Sequence, residues 1–252
     1  MHLLIYGPGR LGIAIGAAAT GAGWPAPTLV GRPTALRGPA PRADAVIDAS
    51  RGDAVLANLE HALAAGNSAF VLAATGWDGE VAAVRSRLLD AGAAAVVAPN
   101  LSLGAALFLR LAGTAAGWYA AAGGFEPSIV EWHRRGKLDR PSGTARSIAR
   151  RIGAADPRWS APDEPRDNAA DRPSLEVAGI RAGAAPGTHL VTFDGAGESI
   201  ELRLTARDRS AYAEGALAAA RWLVAEPREP GLHPFDAVVD GLLAAPEVAV
   251  PA

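Results

Sequence analysis

The residues best able to do chemistry lie in one polar stretch, Glu131-Trp132-His133-Arg134-Arg135-Gly136-Lys137-Leu138-Asp139-Arg140-Pro141-Ser142-Gly143-Thr144-Ala145. His133 closes an apolar run, and an imidazole with an ordinary pKa of about 6.5 exchanges a proton near neutral pH. Lys137 is the sole lysine, because 23 of the 24 Lys and Arg side chains are Arg. Its compact ammonium can supply a proton or neutralise negative charge that develops in a reaction. Pro141-Ser142-Gly143-Thr144 has the composition of a helix start, with Ser142 or Thr144 as its cap and N–H groups suited to a carboxylate. A histidine at a strand end is ordinarily hydrogen-bonded structure, and an Arg/Lys loop is ordinarily solvated surface. Here the histidine, the sole lysine and the helix start fall within 12 residues, which points to proton chemistry beside an anion site. The remaining histidines lack such company: His189 sits inside a strand, His61 on a helix face, and His2 and His233 near the ends. No histidine pair has metal-ligand spacing, and no nucleophile elbow occurs, so no metal is expected.

A second motif, Gly7-Pro8-Gly9-Arg10-Leu11-Gly12, fits G-x-G-x-x-G between a first strand and a first helix. The first glycine makes the tight turn, the second lets backbone approach a pyrophosphate, and the third lets helix pack on strand. About 20 residues on, where a carboxylate for the ribose 2′-hydroxyl is expected, the chain reads Leu29-Val30-Gly31-Arg32. Gly31 carries no carboxylate to repel a 2′-phosphate and Arg32 is able to pair with one, with Arg10 and Arg37 as helpers. The expected cofactor is therefore NADPH, with NADH the alternative.

The elements that must position these residues alternate through the first hundred positions. Leu3–Tyr6, Thr28–Val30, Ala45–Ile47, Ala69–Leu72 and Ala94–Val97 read as short strands. The helices between them run to about Gly23, from Asp53 to Ala65, and from about Asp78 to Ala91. Apolar strands separated by helices predict a parallel sheet covered on both faces, a Rossmann-type α/β domain. After Asn100 a long helix runs to about Ala122, followed by a strand over Ser128–Trp132 and a helix from about Ser142 to Ile152. Pro157 to Pro173 reads as an irregular loop, and Leu175–Arg181, His189–Phe193 and Ser199–Thr205 as strands, the last two joined by Asp194-Gly195-Ala196-Gly197. These predict a smaller α+β domain with an antiparallel or mixed sheet. Helices over Ala213–Ala225 and Phe235–Leu243 return to the first domain. The expected division is thus 1–104, completed by 210–252, for the dinucleotide, and 105–209 for a second domain.

Composition narrows the partners. The chain has 252 residues, half of them hydrophobic, and a formal charge of −2, which exerts no general pull on nucleic acid or anionic membrane. It has no cysteine, hence no disulfide framework and no thiolate site. The opening Met1–Tyr6 stretch lacks the basic start of a signal peptide. Leu101 to Phe125 is mostly Ala and Gly and carries Arg110, so it reads as a packed helix rather than a membrane span. A cytoplasmic location is expected.

The polar stretch, Glu131-x-His133-x-x-x-Lys137-x-Asp139-x-Pro141-Ser142-Gly143-Thr144-Ala145, is similar to the signature loop of the 4-hydroxy-tetrahydrodipicolinate reductase family. Ala98-Pro99-Asn100-Leu101-Ser102-Leu103-Gly104 resembles a second segment of that family. Further matches are Arg181-Ala182-Gly183, Gly187-Thr188-His189, Arg209 leading into Ala213–Leu217, and Trp222-Leu223. The resemblance implies reduction of a cyclic imine-type dicarboxylate by NAD(P)H in lysine and diaminopimelate biosynthesis, by a homotetramer. By the same resemblance His133 is the general acid and Lys137 its assistant. Ser142, Gly143, Thr144, Thr75 and the Arg134 position bind substrate, and Ala73, Thr75 and Asn100 join the glycine turn in holding cofactor. The chain departs from the family pattern at Ala49, Ala73, Ala74, Arg134 and Leu204, where the family has an aromatic, Gly, Thr, His and His. Those changes keep open a paralogue acting on another carboxylate-bearing imine, and a non-catalytic NADPH-binding protein stands as the third reading.

Overall fold

The computed structural model describes residues 1–31, 36–162 and 172–244. It divides into two compact units, Met1–Leu103 with Arg209–Ala252, and Gly104–Asp208.

The first unit is a parallel six-stranded sheet. Its strands are β1 (Leu3–Tyr6), β2 (Thr28–Val30), β3 (Ala45–Asp48), β4 (Ala69–Leu72), β5 (Ala94–Val97) and β10 (Gly231–Pro234), in the order β2-β1-β3-β4-β5-β10. Every residue of β1 and β3 is buried, the signature of a sheet covered on both faces. Helices α2 (Val55–Ala64) and α3 (Val81–Asp90) cover one face over a core that includes Leu4, Tyr6, Leu59, Phe70 and Leu88. Helices α1 (Arg10–Gly21) and α6 (Ser210–Ala225) pack together on the sheet, and α7 (Phe235–Ala244) follows β10. The expected helices from Asp53 and from Asp78 each open with a 3₁₀ turn, Gly52–Ala54 and Asp78–Glu80. Strand β10 lies where only helices were expected. Its sequence, Gly-Leu-His-Pro, is tolerated because it forms the sheet edge, where a proline need not donate.

Strand order reverses between β1 and β3, and a ligand crevice opens at the carboxyl ends of strands at such a point. The loops there approach at backbone contact. A Cβ on Gly7, whose φ is +90°, would lie 2.7 Å from Ala49 and Ser50 backbone atoms, and one on Gly52 would lie 2.2 Å from the Gly76 carbonyl oxygen. The turns after β1, β3 and β4 are thus one continuous backbone surface.

The second unit is a mixed four-stranded sheet, β7 (Glu176–Arg181), β6 (Phe125–His133), β8 (Thr188–Gly195), β9 (Ser199–Thr205), in that order. β6 and β7 run parallel, while β6–β8 and β8–β9 are antiparallel. Strand β6 begins three residues before its expected start and contains Pro127. That residue precedes the first pairing with β7 at Ser128, so its missing N–H leaves no partner unpaired. Helices α4 (Leu103–Ala122) and α5 (Gly143–Ala155) cover one face. Phe108, Ala112 and Ala116 recur every fourth residue on α4, and Ala145, Ile148, Ala149 and Ile152 form the matching stripe on α5. Both pack on Ile129, Val191 and Phe193, and Tyr119 stacks on Phe193 at 4.8 Å. Among the described residues no helix is long and apolar enough to cross a membrane. Of the expected loop from Pro157 to Pro173, residues 163–171 lie outside the described residues; Ser160 bridges to Ser174 beside them.

A Cβ on Gly12 would lie 2.1 Å from the Gly7 carbonyl oxygen. Gly12→Ala is therefore expected to lower stability by about 1–3 kcal/mol, measured by equilibrium denaturation. An unchanged unfolding midpoint would show that the first helix does not close on the turn.

Candidate active site

In the second unit the period-two alternation of β6 puts Pro127, Ile129, Glu131 and His133 on the helix-covered face, all buried. Register then gathers residues from distant segments. Glu131 lies opposite His189 of β8, His133 opposite Arg181 of β7, and His189 opposite Leu204 of β9. The result is a row of charged and titratable side chains across one end of the sheet.

Glu131 is fully buried and sits at the centre. Its Oε1 accepts from Arg181 Nη2 at 2.6 Å and from the Ser142 backbone N–H at 3.0 Å. Its Oε2 accepts from the same Ser142 N–H at 3.3 Å and lies 3.4 Å from His133 Nδ1 and 3.6 Å from His189 Nε2. Burial alone would raise this carboxyl's pKa, but hydrogen bonding from His189, Ser142 and Arg181 outweighs it and holds Glu131 ionised, well below the usual carboxylate range. The same burial acts on His133 with opposite effect. Removal from water lowers its pKa to about 4; Glu131 raises it, and the charges of His189, Lys137 and Arg181 lower it further. His133 is therefore neutral at pH 7.

Ser142 settles the cap of α5. Its hydroxyl accepts from the Ala145 N–H at 3.2 Å and sits 3.1 Å from His189 Nε2. Ser142 is thus fully engaged with protein, while Gly143 is exposed and Thr144 half-buried at the opening turn. Arg181 Nη2 also donates to the Asp139 carbonyl, at 2.5 Å, tying the loop to the same centre. Within that loop Lys137 Nζ pairs with Asp139 at 2.8 Å, a contact that lowers the Asp139 carboxyl's pKa. Arg134 is exposed beside it.

Three residues of this centre, Glu131, Arg181 and His189, were not among the candidates. His189, expected to lack company, packs edge-on against His133 with ring centroids 5.2 Å apart. The alternation of β6 was a legible signal for Glu131; nothing in the linear spacing announced the other two. Ligand atoms of Glu131, His133 and His189 lie within 4.8 Å of one another. Arg181 supplies a positive charge to that carboxylate at 2.6 Å.

The other candidates lie in the first unit. Gly7, Gly9, Arg10, Leu11 and Gly12 form the β1–α1 turn, with Arg10 exposed. Ala73 and Thr75 follow β4, with Thr75 and Gly76 against Gly52. Asn100 precedes α4, its Oδ1 accepting from the Ser102 N–H at 2.9 Å. Arg32 lies outside the described residues. The turn fits a dinucleotide phosphate. A Cβ on Gly9 would meet nothing within 4 Å, helix α1 has no side-chain cap, and its first turn carries no acidic residue. A sheet that reverses at this turn, together with a unit bearing a buried acid–base centre, is the build of a nicotinamide-dependent oxidoreductase.

Comparison with known proteins identifies the family. The model described as "Dihydrodipicolinate reductase, C-terminus" matches residues 104–239. The chain is 37% identical to the 4-hydroxy-tetrahydrodipicolinate reductase of Rhodopirellula baltica over 75% of its own length and 68% of that protein. It is 34% identical to that of Methanopyrus kandleri over 92% of its length and 82% of that protein. A solved structure, dipicolinate-bound dihydrodipicolinate reductase from Paenisporosarcina sp. TG-14, shares the fold. Its TM-score is 0.66 and its identity 20%, covering 93% of this chain and 97% of that one. The chain belongs to the 4-hydroxy-tetrahydrodipicolinate reductase family, whose members are NAD(P)-dependent.

Because the unfolded chain protonates His133 near its ordinary pKa of 6.5 and the folded chain only near 4, this residue contributes stability that is complete above pH 6.5. That contribution, about 3 kcal/mol, is lost as pH falls from 6.5 to 4. Urea unfolding at pH 7 and pH 4.5 is expected to show a steeper loss for the wild type than for His133→Gln. Equal losses would mean that His133 is not held neutral by burial.

Proposed function

We propose that the protein reduces 4-hydroxy-tetrahydrodipicolinate to tetrahydrodipicolinate in lysine and diaminopimelate biosynthesis, the 4-hydroxyl leaving as water. The observation that carries this reading is a buried histidine facing an ionised glutamate beside an open helix start, within a chain of this family. Bound reduced nicotinamide supplies the hydride. His133 supplies the proton, and Lys137 neutralises negative charge on the substrate as the reaction proceeds. Backbone N–H groups of Gly143 and Thr144, with Arg134, take a substrate carboxylate, and Ser142 fixes the start of that helix from beneath. Arrival of a dianion raises the proton affinity of His133, which the surrounding cations otherwise suppress. The Gly7–Gly12 turn, Ala73, Thr75 and Asn100 hold the cofactor, and Arg10 and Arg32 select NADPH by pairing with its 2′-phosphate.

The sheet face of the second unit opposite the helices leaves Val130, Trp132 and Leu190 half-buried and Ile180 exposed, which supports a homotetramer assembled through this unit. The proposed location is the cytoplasm. One observation favours the paralogue reading: Leu204, paired with His189 on the site face, is apolar where the family carries a histidine.

NADPH oxidation on enzymatically generated hydroxy-tetrahydrodipicolinate tests the reading. Rapid turnover is expected, reduced roughly 10²–10⁴-fold in His133→Ala and also impaired in Lys137→Arg. Near-normal rates in both variants would place the chemistry elsewhere. No turnover with NADPH binding intact would favour another imine, or a protein that only binds nucleotide. Titration of both cofactors is expected to show tighter binding of NADPH. Equal or better affinity for NADH would overturn the assignment of the arginines.

A further inference from the structure

Neutral His133 has one proton and two ring nitrogens to carry it, and the two edges of the ring differ sharply. Nδ1 is buried and makes no hydrogen bond; Glu131 Oε2 lies 3.4 Å from it. The ring retains 11% side-chain exposure, none of it at Nδ1. The other edge, Nε2 and Cδ2, faces Gly187, where even a Cβ would stand 3.4 Å away. Gly187 has φ +127°, a conformation that L side chains rarely adopt, so that edge faces bare backbone.

We infer that Glu131 is the positioning residue of this site: its Oε2 keeps the proton of neutral His133 on Nδ1, so that Nε2 is the nitrogen that exchanges protons with the substrate. The inference rests on the proposed role of His133 and adds the group that orients it. An ionised carboxylate only accepts hydrogen bonds, and a bare Nδ1 lone pair turned toward it would set two acceptors against each other. Ionisation of Glu131 is secured from the other side, because Oε1 is taken by Arg181 Nη2 at 2.6 Å and by the Ser142 N–H at 3.0 Å. The remaining charged or titratable groups around the ring are His189 on β8, Arg181 on β7 and Lys137 in the loop. His189 shares this carboxylate but is the more distant of the two imidazoles: its Nε2 lies 3.6 Å from Oε2 and 3.1 Å from the Ser142 hydroxyl, against 3.4 Å from Oε2 for His133 Nδ1. The relation is the one a buried aspartate has to the imidazole of a Ser-His-Asp triad, where it fixes tautomer and orientation without itself becoming protonated.

The test uses the full chain labelled with ¹⁵N-histidine, with long-range ¹H–¹⁵N correlation spectra at pH 7.5 and His133 assigned by its absence in His133→Gln. The wild type is expected to show His133 as the Nδ1–H tautomer. In Glu131→Gln the amide oxygen stays with Arg181 and Ser142, so the amide NH₂ takes the Oε2 position and donates to Nδ1. The expected result is the Nε2–H tautomer, with kcat falling at least about tenfold and KM changing less. Glu131→Asp, which keeps the charge, is expected to retain the Nδ1–H form. An Nε2–H tautomer in the wild type overturns the inference even if Glu131→Gln does not fold. So does an unchanged tautomer in a folded Glu131→Gln. Full turnover in His133→Ala would instead refute the proposed catalytic role of His133, whatever the tautomer.

Discussion

A carboxylate removed entirely from water is the constraint on which the second unit depends. Burying an unpaired ionised group costs several kcal/mol, so Glu131 is tolerable only because Arg181, itself nearly buried, neutralises it, and because the Ser142 N–H adds a hydrogen bond. That requirement organises the site. Arg181 is held by Glu131 and in turn holds the Asp139 carbonyl, which draws the Lys137 loop to the sheet. Ser142 is held by Glu131 and in turn caps α5, which sets where Gly143 and Thr144 begin the helix. One buried anion thereby ties three strands, a loop and a helix start to one point.

The same economy of charge governs what each unit leaves for its ligand. In the first unit the helix after β1 has neither a side-chain cap nor an acid in its first turn, so no side chain competes for its N–H groups. In the second, His133 is deprived of its proton by burial and by the surrounding cations.

Much of the fold was legible in the chain because its signals are local. Short apolar strands between helices predicted a covered parallel sheet, and the described structure has one. The glycine turn followed from three positions within six residues, and the helix start at Pro141-Ser142 from composition alone, although the structure was needed to choose Ser142 over Thr144 as the cap. Strand β10 was missed because a glycine and a proline argue against a strand unless its edge position is known. Strand β6 was read short for a related reason: whether Pro127 breaks a strand depends on where the neighbouring strand begins.

What the sequence determined by itself was therefore the family, the two sheet-building halves, and the order of His133, Lys137 and Ser142 along a loop, since spacing along a backbone is enough for each. Only the tertiary structure decided that Arg181, 50 residues beyond Glu131, and His189, on the next strand over, share one carboxylate with that loop. The reason is that strand register is set by packing of whole faces against helices, and a slip of a single residue would turn every one of these side chains to the opposite side of the sheet.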